Sequence, residues 1–395
     1  MHNVFWALIV LFAAAAFLRM DWVYYLVYVV GGVWVFSHFW MRRSLGRVQL
    51  VREMPSRAFA GEVIDARLRL HNRSWLPLPW LQIQEAVPFD LKQQTDYRSI
   101  TSVGAHSTLE HTYQLACKKR GYYEVGPLNL RSSDIFGFVE ARWDEANPIT
   151  LIVYPQVVAL QKLRLPSRSP FGALAGRSQL LEDPARMAGV RAYSAGDSLR
   201  RIHWKASAHS GDLLVKKLQP SMAIPVLILL DLDRESYPSR SLVGSSEWGI
   251  TVAASLASAL VAERQAVGLG SNGLDALAGV PAATLPPRGG QEQLMSILSL
   301  LARIQVRAAE TPLAEWLPRQ TADLAWGTTL VLVTPHLDER SLWALHGVFR
   351  RGSSVLVLVC ASQPDLRLLE SQGARLGVTV HSTVWDSDLR SLAGD

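Results

Sequence analysis

The first 43 residues limit what this chain can fold into more than any other stretch. Val4 to Leu18 is a nearly unbroken apolar run. Arg19, Met20 and Asp21 interrupt it, and Trp22 to Met41 is a second apolar run that contains Gly31 and Gly32. A helix rising about 1.5 Å per residue needs roughly 20 apolar residues to cross the hydrocarbon core of a bilayer. The second run meets that length. The first meets it when Asn3 and Arg19 sit in the headgroup layers. The first run has no basic leading segment and no small-x-small site before a soluble stretch, unlike a cleaved signal. The expectation is a transmembrane helical hairpin over residues 1–43. Arg42, Arg43 and Arg47 follow the second run, whereas the short connection holds Arg19 against Asp21. The positive-inside rule then places the C-terminal body in the cytoplasm, below two spans. Trp6, Trp22, Trp34 and Trp40 suit interfacial anchoring or packing.

The charge pattern narrows the partners. A formal net charge of +6 is spread over 395 residues, with no Lys/Arg run and no basic stripe interleaved with aromatics. Nucleic acid is therefore not an expected partner, and a mildly basic surface beside an anionic leaflet is. The two cysteines, Cys117 and Cys360, are too few and too far apart for a disulfide framework or a thiolate metal site. They read as small buried apolar residues.

Past the apolar runs the pattern turns to short β-type segments. Val63–Leu70 over its second half, Leu81–Gln84 and Leu109–Leu115 alternate apolar and polar residues, as half-buried strands do. Arg120–Glu124, Leu128–Arg131, Phe138–Trp143 and Thr150–Val153 bring the expectation to about eight short strands. Asn72-Arg73-Ser74, Pro77 and Pro79 punctuate them. Residues 44–155 thus read as a small all-β, sandwich-like domain. His106 and His111, five apart, fall on opposite strand faces and make a poor metal pair. Residues 156–190 mix Pro, Gly, Ser and Ala without period and read as a linker.

Residues 191–395 alternate strand and helix. Ile224–Leu230 is a continuous apolar run ending at Asp231, the mark of a strand buried on both faces. Ala266–Leu269, Thr328–Val333, Val355–Val359 and Val378–Val380 read as further strands. Ser245–Arg264, Gln291–Val306, Ser341–Phe349 and Leu366–Leu376 read as helices. Such alternation implies a doubly wound, mostly parallel, Rossmann-like sheet.

One segment stands out, Tyr193 to Gly211. Gly196 makes a turn, Asp197 is a good N-cap, and Leu199, Ile202 and Ala206 fall on one helical face that ends near His209–Gly211. Arg200, Trp204, Lys205 and Ser207 complete the segment. Two readings stay open: a helix that docks one domain onto the other, or a partner-binding surface. Catalysis around Asp197 and His203 is a third, weakened by the lack of a nucleophile–base pair.

The order Tyr193, Gly196-Asp197, Arg200, Ile202, Trp204, Ser207-Ala208 resembles the signature of a bacterial family called domain of unknown function 58. Arg120-Gly121-x-Tyr123-x-Val125-Gly126-Pro127 and Asp134-x-Phe136-Gly137 resemble that family's β-domain signature. His203 and His209 depart from it, standing where the family often has an acidic residue and an arginine. The resemblance implies two membrane helices and a C-terminal domain like von Willebrand factor A. It also implies a MoxR-type AAA+ ATPase as partner, a location in the bacterial cytoplasmic membrane, and no enzymatic activity.

Von Willebrand A domains often hold Mg²⁺ through Asp-x-Ser-x-Ser after the first strand. Here that stretch is Asp231-Leu-Asp233-Arg-Glu235, with acids replacing both serines, and Thr334-Pro335-His336 stands where a later Asp is expected. Asp231 and Asp233 are thus the candidate metal ligands, and a metal-dependent receptor is the alternative function. Gly268-x-Gly270-x-x-Gly273 matches a dinucleotide fingerprint in letters only. Gly279, Pro281, Pro286 and Pro287 follow it, which reads as a loop where a nucleotide site needs a helix. No nucleotide-binding or other cofactor motif is complete. The leading reading is a non-enzymatic membrane-anchored adaptor for the ATPase.

Overall fold

The computed structural model describes residues 2–18, 21–93, 97–135, 137, 139–145, 147–160, 182–194, 202–220 and 225–391. The chain divides into two compact units, residues 1–156 with 301–303, and residues 157–300 with 304–395.

The first unit opens with helices His2–Leu18 and Asp21–Leu45. Asp21–Leu45 is long and apolar enough to cross a membrane. His2–Leu18 is apolar over Phe5–Ala14, but its 17 residues rise a few ångströms short of a hydrocarbon core about 30 Å thick. The rings of Phe12 and Tyr24 lie 5.7 Å apart, and those of Phe5 and Trp34 6.4 Å apart. The longer helix runs past the boundary expected at residue 43. Arg42 and Arg43 are exposed in its last turn, where cations complement the helix dipole. Met41 and Leu45, one turn apart on a single face, are buried in the same core as Leu68, Leu81, Leu130 and Leu151.

Among the described residues, ten strands form three sheets around that core. Val63–Asn72 lies between Val48–Glu53 and Thr108–Ala116. Ile149–Tyr154 lies between Arg57–Phe59 and Gly121–Val125. The third sheet runs Arg98–Val103, Leu78–Glu85, Leu128–Ser133, Glu140–Glu145. Alternation along Val63–Asn72 is borne out: Ile64, Ala66, Leu68 and Leu70 are buried and the residues between them are not. Three strands escaped the sequence reading. Arg98–Val103 is an edge strand with little apolar content, Val48–Glu53 is an edge strand without strict alternation, and Arg57–Phe59 is only three residues long. His106 lies in a turn with φ 51°, not on a strand face as expected, because the connection after Val103 bends there.

A charge cluster sits inside this unit. Arg52 Nε lies 3.2 Å from Glu85 Oε1, with side chains only 4% and 2% exposed. Arg52 Nη1 also donates to Val125 O at 3.1 Å. Burial holds the Glu85 carboxyl above its usual range, against the opposing pull of the Tyr113 phenol and Arg52. Removing one member of such a pair strands the other. Arg52→Met is expected to destabilise the protein by about 3–5 kcal/mol. Arg52→Met with Glu85→Met should recover most of that loss. Denaturant unfolding of the two variants checks this, and a double variant as unstable as the single one refutes it.

In the second unit, strand Glu182–Ala192 pairs antiparallel with Leu214–Pro220. The expected linker 156–190 therefore ends in a strand, whose partner lies more than 20 residues downstream and leaves no local signal. Residues 161–181 of that linker lie outside the described residues. The main sheet holds Val226–Leu230, Val267–Ser271, Leu285–Arg288, Thr329–Thr334, Ser354–Val359 and Val378–Ser382. Counted in chain order, these six stand 3-2-1-4-5-6, a doubly wound order. All neighbours are parallel except Leu285–Arg288, which is antiparallel at the edge.

Val226–Leu230 is buried throughout. Leu227 and Leu229 share a core with helices Leu313–Gln320, Glu339–Arg350 and Leu366–Leu376. Helix Leu242–Ala262 packs on the opposite side, with Gly249 beside Leu230. The stretch expected as a loop after Gly273 instead contributes short strands, including Leu285–Arg288. Pro286 and Pro287 are tolerated there because an edge strand need not donate on both sides. Gly268 lies inside a strand, and a Cβ on it would stand 2.7 Å from Leu285 O. The glycine pattern therefore serves strand packing, and no helix opens after it.

Candidate functional site

In a doubly wound sheet, side chains gather where strand order reverses, at the carboxyl ends of the two strands flanking the reversal. Here those strands are Val226–Leu230 and Thr329–Thr334. Asp231 directly follows the first and Thr334 ends the second.

Asp231 is fully buried. Its Oδ1 accepts from Asn272 Nδ2 at 2.7 Å and from Asp233 N at 3.0 Å, and its Oδ2 accepts from Thr334 Oγ1 at 2.9 Å. Asn272 Oδ1 accepts from Leu232 N at 2.6 Å, and Arg307 Nε donates to Asn272 O at 2.8 Å. Tyr237 Oη donates to Asp231 O at 2.7 Å. Burial raises the Asp231 carboxyl above its ordinary value, and the Asn272, Asp233, Thr334 and Ser236 donors pull it partway back. Cys360, also buried, is pushed up to about 12 by burial and then by Asp231. Such a thiol is a packing residue and not a nucleophile.

The second acid expected at the cation site is engaged by backbone donors. Asp233 Oδ1 accepts from Glu235 N at 3.3 Å and Ala309 N at 2.9 Å. Among the described residues no three His, Cys, Asp or Glu side chains cluster as metal ligands. A hard cation needs oxygen lone pairs turned toward it. At Asp231 both oxygens face N–H and O–H donors, so this donor set does not fit Mg²⁺.

The Tyr193–Gly211 segment is described at its two ends. Gly196, Asp197 and Arg200 lie outside the described residues. Helix Trp204–Ser210 is capped by His203, whose Nδ1 accepts from Ala206 N at 3.0 Å. It ends at Gly211, φ 78°, as expected from the sequence. Ile202 is not on that helix. It forms a bridge with Val215 and is buried, because its backbone pairs with the incoming strand. Ser207 is buried, and its Oγ accepts from Leu214 N at 2.8 Å. Tyr193 N donates to Leu213 O at 2.8 Å. Trp204, 67% exposed, and Lys205 face solvent. The segment thus divides into Ile202 and Ser207, which hold it in place, and Trp204 and Lys205, which are open to a partner.

Residues 189–361 match the model of a family described as a protein of unknown function, DUF58. Over that stretch the chain is similar to the family. The matched stretch takes in both the Trp204 helix and the Asp231 crest. An uncharacterized protein of Bacillus subtilis (strain 168), YeaD, is 24% identical over 183 residues, 44% of this chain and 44% of its own length. The chain therefore spans less than half of that relative. Among solved structures, the pilus adhesin SpaC of Lactobacillus rhamnosus GG has a TM-score of 0.31 at 14% identity, covering 44% of this chain and 29% of the adhesin. The CARDB domain of a Pyrococcus furiosus protein has a TM-score of 0.21 at 13% identity, covering 27% and 91%. Scores this low carry no fold assignment.

Sequence reasoning missed Asn272, Tyr237 and Arg307. Ser271-Asn272-Gly273 reads as a turn, and only the fold brings its amide to Asp231. Asn272→Ala should destabilise the protein by about 1–3 kcal/mol, leaving the buried Leu232 N–H without its partner and Asp231 Oδ1 one donor short. Because the folded Asp231 carboxyl is raised, its contribution to stability is complete below the ordinary carboxyl value. That contribution is lost as pH rises through the elevated one. Thermal melts at stepped pH should therefore show a loss toward neutrality that Asp231→Asn removes. Identical pH slopes in the two proteins would contradict the assignment.

Proposed function

We propose that this chain is a membrane-anchored, non-enzymatic adaptor. Helices His2–Leu18 and Asp21–Leu45 form a two-span anchor. The remaining chain lies on the cytoplasmic side and presents a von Willebrand factor A-like domain to a MoxR-type AAA+ ATPase. The observation that carries this reading is the sheet crest. The one carboxylate at the strand reversal is fully buried and saturated by Asn272, Thr334 and the Asp233 N–H. Each of its oxygens already accepts from a protein donor. Recognition then falls to exposed groups, and Trp204 with Lys205, inside the family segment, has the aromatic–cationic character of an interface anchor. The doubly wound sheet, with Asp231 after its first strand, supports the von Willebrand A-like reading. The alternative of a metal-dependent receptor draws no support from this donor set.

Affinity purification of the tagged full-length protein from solubilised membranes tests the proposal. The wild type is expected to recover a AAA+ ATPase. Trp204→Ala with Lys205→Ala, both at exposed positions, should lose it while keeping the wild-type melting temperature. The adaptor reading fails if gentle extraction recovers no ATPase, and the assigned surface fails if the variant retains it in full.

A further inference from the structure

The first unit has two loops that carry exposed apolar side chains, Trp75 and Ile135, near the end of the Asp21–Leu45 helix. In the first loop, Asn72 Nδ2 donates to Leu76 O at 2.9 Å and Gly104 O at 3.0 Å, and Asn72 Oδ1 accepts from Ser74 N at 2.9 Å. Ser74 Oγ accepts from Leu76 N at 3.1 Å. Asn72, Ser74 and Leu76 are buried, and Trp75 between them is 61% exposed. In the second, Asp134 Oδ1 accepts from Val139 N at 2.8 Å and Asp134 O from Gly137 N at 3.2 Å. Asp134 and Val139 are buried, and Ile135 is 73% exposed. Large apolar side chains held out from these loops are costly to leave in water.

Their position names what covers them. Trp40 Nε1 donates to Pro77 O at 2.9 Å, Ser44 and Ser74 hydroxyls lie 3.4 Å apart, and Arg73 N donates to Arg47 O at 3.3 Å. The first loop is thus fastened to helix residues 40–44 and the turn after them. Trp80 pairs with Ser133 and Ser133 with Glu140, so the Asp134–Val139 loop leaves the same end of that sheet. The helix itself packs against these strands. Arg42, Arg43, Arg47 and Arg73 are all exposed around this end.

We infer that this end of the β unit is a membrane-seating surface, in which Trp75 and Ile135 enter the interfacial layer beside the helix while Arg42, Arg43, Arg47 and Arg73 meet anionic headgroups. Indole at the interface and arginine at anionic headgroups are the usual pairing of side chain with lipid depth. The inference rests on the proposed span, Asp21–Leu45.

The test uses the full chain in nanodiscs of phosphatidylcholine and anionic phosphatidylglycerol. In a Cys117→Ala/Cys360→Ala background, nitroxides are placed singly by Trp75→Cys, Ile135→Cys, Val29→Cys and Phe89→Cys. Val29 lies mid-helix, and Phe89 is exposed at the far end of the sheet, beyond Glu85. Labels at 29, 75 and 135 should favour collision with oxygen over a water-soluble nickel complex severalfold more than the label at 89. If 29 reads lipid while 75 and 135 read like 89, the seating surface is wrong and the span stands. If 29 also reads water, the span itself is wrong and the inference falls with it.

Discussion

The first unit depends on one helix whose exposed apolar length, long enough to cross a membrane, ends inside the β core. Residues Trp22 to Phe39 of Asp21–Leu45 are largely exposed in the protein, whereas Met41, Ser44 and Leu45 at its end are buried. Met41 and Leu45 belong to the β core. An apolar surface that water cannot solvate thus runs without a break into a surface that protein already covers. A helix is stiff over this length, so the β unit is not carried on a flexible stalk. Its orientation to the helix axis follows from packing, and the loops fastened to residues 40–47 have a fixed height along that axis.

The second unit shows another use of burial. Removing a carboxylate wholly from water is tolerable only when donors replace the lost hydration. At Asp231 the donors come from three places in the chain: the Asn272 turn, the end of strand Thr329–Thr334, and the backbone of Asp233. The result is a tie across the crest at the point where doubly wound folds usually leave a crevice. Replacing serines by Asp233 and Glu235 fits this use. Asp233 Oδ1 caps the short turn at Glu235 and reaches Ala309 N, so the second acid organises loops.

Periodicity made much of this legible. Val226–Leu230, Thr329–Thr334 and Ser354–Val359 were readable because a strand buried on both faces has no polar alternation to confuse it. Helix Leu366–Leu376 was readable to the residue, given its amphipathic face and Gly377 at its end. What escaped were features set by distant partners. Arg98–Val103 is a polar edge strand whose identity comes from its pairing with Leu78–Glu85. Glu182–Ala192 reads as linker until Leu214–Pro220 pairs with it. The Ile202 bridge interrupts a helical pattern that the sequence alone runs straight through. At the crest, Asp231 and Thr334 were identifiable from their strand ends, but Asn272 was not, since an asparagine before glycine is first a turn signal.

The same logic separates the two exposed tryptophans that matter most. Trp204 follows an N-cap on a short helix held by Ile202 and Ser207, and lysine is its neighbour in the chain. Trp75 sits on a loop whose flanking residues are buried and whose backbone is tied to the helix end. Both are large apolar surfaces left in water by an otherwise well-satisfied backbone, so neither is explained by the packing of its own unit. For Trp75 the proposed cover is the medium that surrounds residues 22–40 of the helix, because the helix end lies beside its loop. Trp204 has no such neighbour among the described residues, and the adaptor reading places the partner there.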